Sequence, residues 1–491
     1  MKFEKKFAEL LVVALIITGL CGSLAVMELR AEEPRRAVVA MEMLLGKHLI
    51  IPKIHDWNYY NKPPLFNWIM AGFFKLSGSF SEVWVRLPSL LSFLITAFLV
   101  FKLVSKFFDK RTAYIAAFLF LTSVDILFYG AVDSGEIDLF LTLLTFLQGC
   151  VIFNCSQKQK WLSLFLFSYF ITALGILTKG LPSLIIQGLT LTIWFIYIKE
   201  FKKLFSWQHA AGILLCIAIV VSYFFAYNQH ENAITFILQL TNESTQRSAF
   251  ENATKEIIIN ILQAPFQLFY IALPGSAMLL YLFKKDVRTK LKQNQLYVFS
   301  LIFMLINIVP YFISSDTANR YLYPAFPFIA IMGAIVYNAA SLSSRAIKYT
   351  TLLKIFSFLA LLRIGYNIWG IPYQIKTSDN LIYAGLSQRL LHYSHGNPIY
   401  LTGNPEKLIA DPTLPFVDIK ADTAYVPPYV PFQLPYYITK STKHIMQYDP
   451  VPQKGNYYLT PIDFLKDKKA TIYFQFFDNW QQRELALVKF Q

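Results

Sequence analysis

The chain has 491 residues, of which 55% are hydrophobic and only 15% are charged. Soluble domains carry roughly 25% charged residues, so this composition excludes an ordinary soluble protein and predicts a polytopic α-helical membrane protein. The formal net charge of +15 would suggest nucleic-acid binding in a soluble protein. Lys and Arg also flank membrane spans, however, so we expect a lipid bilayer and no nucleic acid around this chain.

Membrane spans are predicted wherever about 20 apolar residues follow one another. The first apolar run, residues 7–29, is too long for the core of a typical signal peptide, so we interpret it as an uncleaved span. Eleven spans are predicted in all, near residues 7–29, 84–107, 112–130, 138–155, 161–178, 182–198, 209–227, 259–283, 296–313, 321–341 and 350–370.

The basic residues between these spans predict the orientation. Six Lys- or Arg-containing segments, beginning with Lys2, Lys5 and Lys6, all fall on one side of the membrane if the spans alternate. Positive charge marks the cytoplasmic side. We therefore expect the N-terminus in the cytoplasm and the C-terminus outside it, in a bacterial inner membrane.

The first outer loop, residues 30–83, carries an unusual load of cations for the outer side. It opens with "AEEPRR", where Glu32 and Glu33 precede Pro34, Arg35 and Arg36. Pro suits the start of a helix, and apolar residues recur at helical spacing up to Gly46. The spacing predicts an amphipathic helix along the membrane surface, whose N-terminus and arginines would bind an anion such as phosphate.

The second motif of this loop is "HDWNYYNKPPLFNW", residues 55–68. Its aromatic residues Trp57, Tyr59 and Tyr60 suit either the lipid interface or the face of a sugar ring. Lys62 precedes two prolines that stiffen the chain, so its ammonium group is a candidate partner for a phosphate or a carboxylate.

Acidic residues also mark the start of the predicted fourth span. "GAVDSGEIDLF" contains Asp133, Glu136 and Asp138. An acid at a membrane span is costly unless it is used or paired, although a helix N-terminus also favours an acid. Asp125 lies near the outer end of the third predicted span. His48, His55 and His230 lie outside near carboxylates but lack metal-motif spacing, so a divalent cation is left open and any metal ligands are unknown.

Residues 371–491 are less apolar than the rest and rich in Pro and Tyr. "NLIYAGLSQRLLHYSHGNPIYLTG" predicts a helix, a turn and a strand, and "ATIYFQFFDNWQQRELALVKF" predicts two strands around a polar turn. We therefore divide the chain into a transmembrane domain, residues 1–370, and a small extracytoplasmic α/β domain, residues 371–491.

Five motifs together resemble those of a known family. In chain order they are "EEPRRAVVAMEML", "YYNKPPLFNWI", "GEIDLFLTLLTF", "GILTKGLPSLII" and "RYLYPAFPFIAI". They are similar to motifs of the C-superfamily integral-membrane glycosyltransferases, in the branch of protein O-mannosyltransferases and lipid A aminoarabinose transferases. The resemblance covers about residues 7–341. It departs from the family at Glu32, where the family usually has Asp.

The resemblance implies a reaction and a set of roles. A sugar leaves a polyprenyl phosphate and joins a hydroxyl of a lipid, glycan or protein acceptor, with inversion, at the outer membrane face, in a monomeric enzyme. A carboxylate takes the acceptor proton, and cations stabilise the departing phosphate. Glu32 is expected as the base, with Glu33 as its alternate and Asp138 as a positioning acid. The expected phosphate ligands are Arg35, Lys62, Arg320 and Lys179.

A second function is compatible with the same spans. A transporter or flippase of lipid-linked sugars would also need a cationic site. Such a protein is expected to place functional charges deep within broken, repeated helices. This chain instead concentrates its charges in one outer loop, which favours the transferase.

Overall fold

The computed structural model describes most of the chain and is mainly helical. The described residues are 2–129, 134–246, 253–312, 318–342, 346–377, 382–404, 406–407, 425–426, 430–479 and 482–491.

Twenty α-helices occur in the described residues. They are α1 Lys2–Cys21, α2 Glu33–Leu45, α3 Leu65–Ser77, α4 Glu82–Ser105, α5 Lys110–Leu121, α6 Val124–Phe128, α7 Ile137–Gln157, α8 Trp161–Lys179, α9 Pro182–Tyr197, α10 Trp207–Asn228, α11 Ala233–Gln246, α12 Ala253–Ile271, α13 Gly275–Met278, α14 Lys285–Leu291, α15 Gln295–Phe312, α16 Phe326–Ser341, α17 Tyr349–Gly365, α18 Ile371–Thr377, α19 Tyr383–Tyr393 and α20 Gln433–Thr442. Short 3-10 or π turns cover Phe201–Phe205, Leu279–Phe283, Asn319–Ala325, Tyr366–Gly370 and Ile462–Leu465.

Eight short strands occur in the same described residues: β1 Lys53–Ile54, β2 Trp57–Asn58, β3 Ile399–Leu401, β4 Glu406–Lys407, β5 Tyr425–Val426, β6 Tyr457–Pro461, β7 Ala470–Asp478 and β8 Arg483–Phe490. The largest sheet has the order β3-β6-β8-β7. β3 and β6 are parallel, and the other pairs are antiparallel. α19, β3, β7 and β8 lie where the sequence predicts a helix and strands.

Within the described residues, six helical segments are long and apolar enough to cross a membrane, and a bent pair makes seven if it counts as one span. The six are Glu82–Ser105, Ile137–Gln157, Trp161–Lys179, Trp207–Asn228, Asn319–Ser341 and Tyr349–Thr377. Two shorter apolar helices are Pro182–Tyr197 and Gln295–Val309. Together these lie at nine of the eleven predicted positions, so a span count of eleven stays a prediction.

Two of the predicted spans are interrupted. The run predicted at 259–283 forms Ile261–Ile271 and Gly275–Phe283, bent by 99°. Pro274 lies in the break, where its missing N–H and its restriction of Leu273 oppose a continuous helix. The run predicted at 112–130 forms α5 and α6. Here the hydroxyl of Thr122 donates to the carbonyl of Phe118, at 2.6 Å, as α5 ends.

The chain forms two compact units, and neither is continuous in sequence. The first contains residues 1–24, 86–222 and 244–372. In it α7 packs on α8, α8 on α9, α5 on α16 and α1 on α17. Side-chain amides connect three of its helices: Gln148 donates to Gln187 at 2.7 Å, and Gln187 donates to Ser168 at 2.8 Å. Such bonds satisfy polar groups where no water is available.

The second unit contains residues 25–85, 223–243 and 373–491. The first outer loop and the C-terminal segment therefore share one unit. Its core includes Leu390, Leu401, Leu434, Leu459 and Leu487, all of which are fully buried. The domain boundary predicted at residue 370 stays a prediction about function. The structure adds that residues 25–85 pack with residues beyond that boundary.

α2 differs from the predicted surface helix. It ends at Gly46, as expected, but eleven of its thirteen residues are buried. α3, α20 and β1 all pack against it. α2 is therefore an interior helix of the second unit, because neighbouring elements cover the faces that a surface helix would turn to lipid and water.

Candidate active site

The acidic pair stands at the N-terminus of α2. Glu32 is the N-cap residue, and its side chain makes no capping hydrogen bond. Its carboxylate instead accepts a hydrogen bond from the guanidinium of Arg35, three residues on. The first turn of a helix brings residues at this spacing to one side. A carboxylate and a guanidinium are thus in direct contact at a helix end that favours negative charge.

Glu32 and Glu33 differ in exposure. Glu33 is fully buried, and its carboxylate accepts the backbone N–H of Arg30 at 3.0 Å. Glu32 keeps 20% of its side chain exposed, whereas Arg35 keeps 6%. Glu33 therefore fixes the turn that leads into α2, and Glu32 is the more accessible acid of the pair.

The other predicted residues of this loop surround a short hairpin. Lys62 donates to the carbonyl of Asn61 at 3.0 Å. Tyr59 and Tyr60 are buried, at 1% and 3% exposure, and Trp57 packs edge-on against Tyr448 at 5.2 Å between ring centroids. These rings contribute to packing of the second unit, in which Trp57 is half-buried. The predicted sugar contact stays a prediction.

Glu42 is a buried acid that the sequence analysis did not single out. Its two carboxylate oxygens accept the backbone N–H groups of His55 and Asp56, at 2.7 and 3.1 Å. Both residues have positive φ, 56° and 63°, in the turn between β1 and β2, a conformation that hairpin turns require. Glu42 thus ties α2 to this hairpin. A signal was present in the sequence, because Glu42 interrupts the apolar face of the predicted helix.

Burial shifts the pKa values of Glu42 and His55 in opposite directions. Desolvation raises the pKa of Glu42 to about 8, although the two backbone N–H groups oppose the shift. Desolvation lowers the pKa of His55 to about 4, while its contact with the carbonyl of Met446, at 2.8 Å, opposes that shift. Both groups are therefore favoured in their uncharged forms near neutral pH.

A second charged cluster lies in the first unit. Glu136 is the N-cap residue of α7, and Asp138 lies in its first turn. Lys179, the last residue of α8, pairs with Asp138. The short turn between α7 and α8 makes them antiparallel, so the C-terminus of α8 comes beside the N-terminus of α7. Each charge complements the dipole of its own helix end.

Arg320 joins the same cluster from the turn before α16. Its guanidinium lies 3.3 Å from Glu136 and 3.8 Å from Asp138. The ammonium of Lys179 lies 4.4 Å from the ring centroid of Tyr321. Lys179 and Arg320, two of the cations that were predicted to bind phosphate, thus contact carboxylates. Their role towards a phosphate stays a prediction.

Asp125 has a structural environment of its own. It accepts hydrogen bonds from the amide of Asn319, at 2.9 Å, and from the hydroxyl of Tyr323, at 2.7 Å. These two partners, which the sequence analysis missed, satisfy an acid that is 2% exposed. Asp133, which precedes Glu136 and Asp138 in the same motif, lies outside the described residues.

The three histidines considered as metal ligands have separate environments. His48 contacts the carbonyl of Ile51 at 3.2 Å, His55 contacts Met446, and His230 is exposed. Among the described residues, no three His, Cys, Asp or Glu side chains are grouped so as to hold a metal ion.

Comparison with solved structures identifies the fold. ArnT from Cupriavidus metallidurans, solved with bound undecaprenyl phosphate, aligns with a TM-score of 0.69 at 14% identity. The alignment covers 98% of this chain and 97% of that one. The chain thus shares the fold of ArnT.

Sequence comparisons specify the branch. The family described as dolichyl-phosphate-mannose-protein mannosyltransferase matches residues 61–240. The undecaprenyl phosphate-alpha-4-amino-4-deoxy-L-arabinose arabinosyl transferase of Erwinia tasmaniensis is 31% identical over 190 residues, 36% of this chain and 33% of that protein. The enzyme of the same name from Pectobacterium atrosepticum is 25% identical over 315 residues, 62% of this chain and 54% of that protein.

These matches cover about a third to a half of the length of those two relatives. The chain resembles the C-superfamily glycosyltransferases, in the branch of protein mannosyltransferases and aminoarabinose transferases, as its motifs predict.

Proposed function

We propose that this protein transfers a sugar from a polyprenyl-phosphate donor to an acceptor hydroxyl at the outer face of the membrane. The observation that carries the proposal is the contact between Glu32 and Arg35 at the N-terminus of α2. It brings a candidate base and a candidate phosphate ligand together. The comparisons support the choice of donor, because the related enzymes are named for undecaprenyl-phosphate substrates.

The reaction is a direct displacement. The acceptor oxygen attacks the anomeric carbon, and the bond from that carbon to the phosphate oxygen breaks with its electron pair on the phosphate. The acceptor proton passes to the carboxylate of Glu32, which is more exposed than that of Glu33. The attack from the opposite face inverts the anomeric centre. Base catalysis of this kind contributes roughly 10²–10⁴-fold.

Arg35 and Lys62 are the proposed ligands of the donor phosphate in the second unit. The guanidinium of Arg35 contacts Glu32, and a guanidinium has the planar set of N–H donors that suits a phosphate. Glu33 holds the turn that positions Glu32 and is the alternate base. Trp57, Tyr59 and Tyr60 would shape the surroundings of the sugar.

In the first unit, Asp138 is a positioning acid for two cations. Its carboxylate contacts Lys179 and Arg320, which fixes the positions of their side chains. We propose separately, from the family motifs in which they lie, that Lys179 and Arg320 bind phosphate. No divalent cation is needed for this scheme, and one that binds would act by neutralising phosphate charge.

The acceptor is proposed to be a lipid, as for the aminoarabinose transferases, with a glycan or a protein hydroxyl as the alternatives. We also propose a monomer in the bacterial inner membrane, with the N-terminus in the cytoplasm and the C-terminus outside. A reporter that is active only outside the cytoplasm, fused after Gln491, tests this orientation. Activity of a cytoplasm-only reporter at that site would reverse it.

Transfer is tested with the purified full-length protein and a polyprenyl-phosphate sugar in vesicles. We expect release of polyprenyl phosphate and appearance of a glycosylated acceptor, both detected by mass spectrometry. Mass spectra of glycolipids and glycoproteins from cells with and without the gene identify the acceptor. Movement of intact donor across the vesicle membrane without release of the phosphate would support the transporter instead.

A further inference from the structure

The second unit contains a partly open cavity, lined by polar and apolar groups, that the proposed reaction does not use. Its volume is about 300 Å³, at the lower end of ligand-binding cavities. Every lining residue belongs to this unit. The walls come from the segment after α1, the start of α4, and one face each of α19 and α20. They include Glu28, Glu82, Ser387, Gln388, Tyr437 and Lys440.

The residues that α19 and α20 contribute to the cavity follow helical spacing, and all but Ala384 are polar. α19 contributes Ala384, Ser387 and Gln388, and α20 contributes Tyr437, Lys440 and Ser441. Residues three and four apart share one face of a helix. Two helices of the unit thus turn polar faces toward the same space, where a purely structural contact between helices would favour apolar side chains.

The charged groups of the cavity are two carboxylates and one ammonium. Lys440 contacts both oxygens of Glu82, at 2.7 and 2.8 Å. Glu28 accepts the backbone N–H groups of Tyr383 and Ala384, at 3.0 and 2.9 Å. The formal charge of these three groups is −1, in a chain whose net charge is +15. The cavity therefore suits a ligand that carries a cationic group.

The position of the cavity along the chain indicates where that ligand lies. Glu82 is the first residue of α4, a helix long and apolar enough to span the membrane. Ala25 and Val26, which also line the cavity, follow the end of α1 and are exposed. Residues at the end of a span lie at the level of the lipid headgroups.

We propose that this cavity binds the headgroup of a zwitterionic phospholipid that carries a primary ammonium, as an ethanolamine headgroup does. The ammonium donates hydrogen bonds to Glu28, and the phosphate accepts one from Lys440. A primary ammonium has three N–H donors, whereas a trimethylated choline ammonium has none, so the site distinguishes these two headgroups. Charge-assisted hydrogen bonds are about twice as strong as neutral ones.

The site is connected to the proposed base through the chain. Glu28 lies four residues before Glu32, and the N–H of Leu29 donates to the hydroxyl of Tyr437, a lining residue, at 3.4 Å. Occupation of the cavity therefore stabilises the segment that leads into α2. The lipid acts as a structural ligand, and its binding does not depend on the proposed transfer reaction.

The test is binding of short-chain phospholipids to the purified full-length protein in detergent. We expect saturable binding of a dihexanoyl phosphatidylethanolamine, at least about 10-fold tighter than binding of the matching phosphatidylcholine, because a hydrogen bond to a charged group contributes this much. Glycerophosphoethanolamine, which lacks the acyl chains, distinguishes a free headgroup from a lipid. Binding of that compound as tight as binding of the lipid would overturn a membrane-lipid ligand.

Two variants and one control locate the site. Glu28→Gln keeps an acceptor oxygen and should abolish the preference for the primary ammonium. Gln388→Trp places a large side chain in the cavity from its exposed rim and leaves Glu28 in place. This variant should weaken binding of the ethanolamine lipid at least about 10-fold. Glu484→Gln makes the same chemical change as Glu28→Gln at an exposed position of β8 and should change nothing. Equal binding of both lipids by the parent protein would refute the proposal, and so would an unchanged preference in a folded Glu28→Gln variant or parental affinity for the ethanolamine lipid in a folded Gln388→Trp variant.

Discussion

The two charged clusters are built at different distances along the chain. Glu32 and Arg35 are three residues apart and meet within one helical turn. Asp138 and Lys179 are 41 residues apart, and Arg320 reaches Glu136 across 184 residues. A local pair can be changed with little cost to the fold. A pair that joins distant helices also holds those helices together, so its loss affects stability as well as function.

The largest effect is expected at the local cluster. Glu32→Gln keeps the shape of the side chain and an acceptor for Arg35 but removes the base. Sugar transfer should fall roughly 10²–10⁴-fold, while donor affinity and the unfolding temperature change little. The measurements are sugar transfer, donor binding and thermal unfolding of the purified variant.

Glu33→Gln is the matched control for this experiment. Glu33 is buried and engaged with Arg30, so its loss should lower transfer less than the loss of Glu32. A reversed order would assign the base to Glu33. Parental transfer rates in both variants would show that the acidic pair has no catalytic role.

The next effect distinguishes the long-range cluster from the local one. Asp138→Asn leaves Lys179 without its carboxylate where Asp138 itself is 2% exposed. Removing one partner of a buried ion pair costs roughly 3–5 kcal/mol. We expect a large drop in the unfolding temperature, which Glu32→Gln does not show. Thermal unfolding in detergent measures it.

Removing both charges checks the cause of that drop. Asp138→Asn combined with Lys179→Gln should recover part of the lost stability, because no charge is left unpaired. A double variant that is less stable than Asp138→Asn by the full cost of Lys179→Gln would mean that the two side chains act independently.

A smaller effect is expected for the proposed phosphate ligands. Arg35→Gln and Lys62→Gln should each weaken donor binding about 10-fold, since a hydrogen bond to a charged group contributes roughly 1.5–3 kcal/mol. Lys47→Gln, at an exposed position beyond the end of α2, is the matched control and should bind donor like the parent. Donor titration of the three variants measures this. Equal weakening in all three would indicate attraction by net charge alone.

Sequence reasoning succeeded where the pattern is local. The helix after "EEPRR", its end at Gly46, and the strands β7 and β8 follow from residue spacing and turn residues. The resemblance to polyprenyl-phosphate glycosyltransferases also followed from motif order, and the comparisons confirm it. Composition was sufficient to identify a membrane protein, because the charged fraction of 15% is well below that of soluble domains.

The remaining features depend on contacts between distant residues. The prediction that α2 lies on the surface was wrong, because α3 and α20 cover it. Nothing in the sequence indicates these contacts. Periodicity predicts a helix with an apolar face but not what covers its polar face. The pairing of Lys179 and Arg320 with acids depends on the packing of α7, α8 and the turn before α16. Glu42 interrupts the apolar face of its helix in the sequence, but its partners could not be predicted, because they are backbone groups that leave no sequence pattern.

Glu42 shows how the local loop is held together, and its effect is expected in the pH dependence of stability. Its pKa is about 8 in the folded protein, raised by burial from its ordinary value of 4.5. Between these values the folded state binds more protons than the unfolded state, so the free energy of unfolding falls as the pH rises. His55, with its pKa lowered to about 4 from 6.5, acts in the opposite direction, but only below about pH 6.5. From pH 6.5 to pH 8 Glu42 should therefore lower the free energy of unfolding by about 2 kcal/mol.

Glu42→Gln should remove this slope, since the amide does not titrate. The amide also keeps only one acceptor oxygen for the N–H groups of His55 and Asp56, so the variant should be less stable at every pH. The slope, and not the stability at one pH, is therefore the quantity to compare. Thermal unfolding of parent and variant between pH 6.5 and pH 8 measures it, and contributions from other titrating groups are common to both proteins. Parallel curves would show that Glu42 is ionised in the folded protein, with its two backbone N–H donors outweighing the cost of burial.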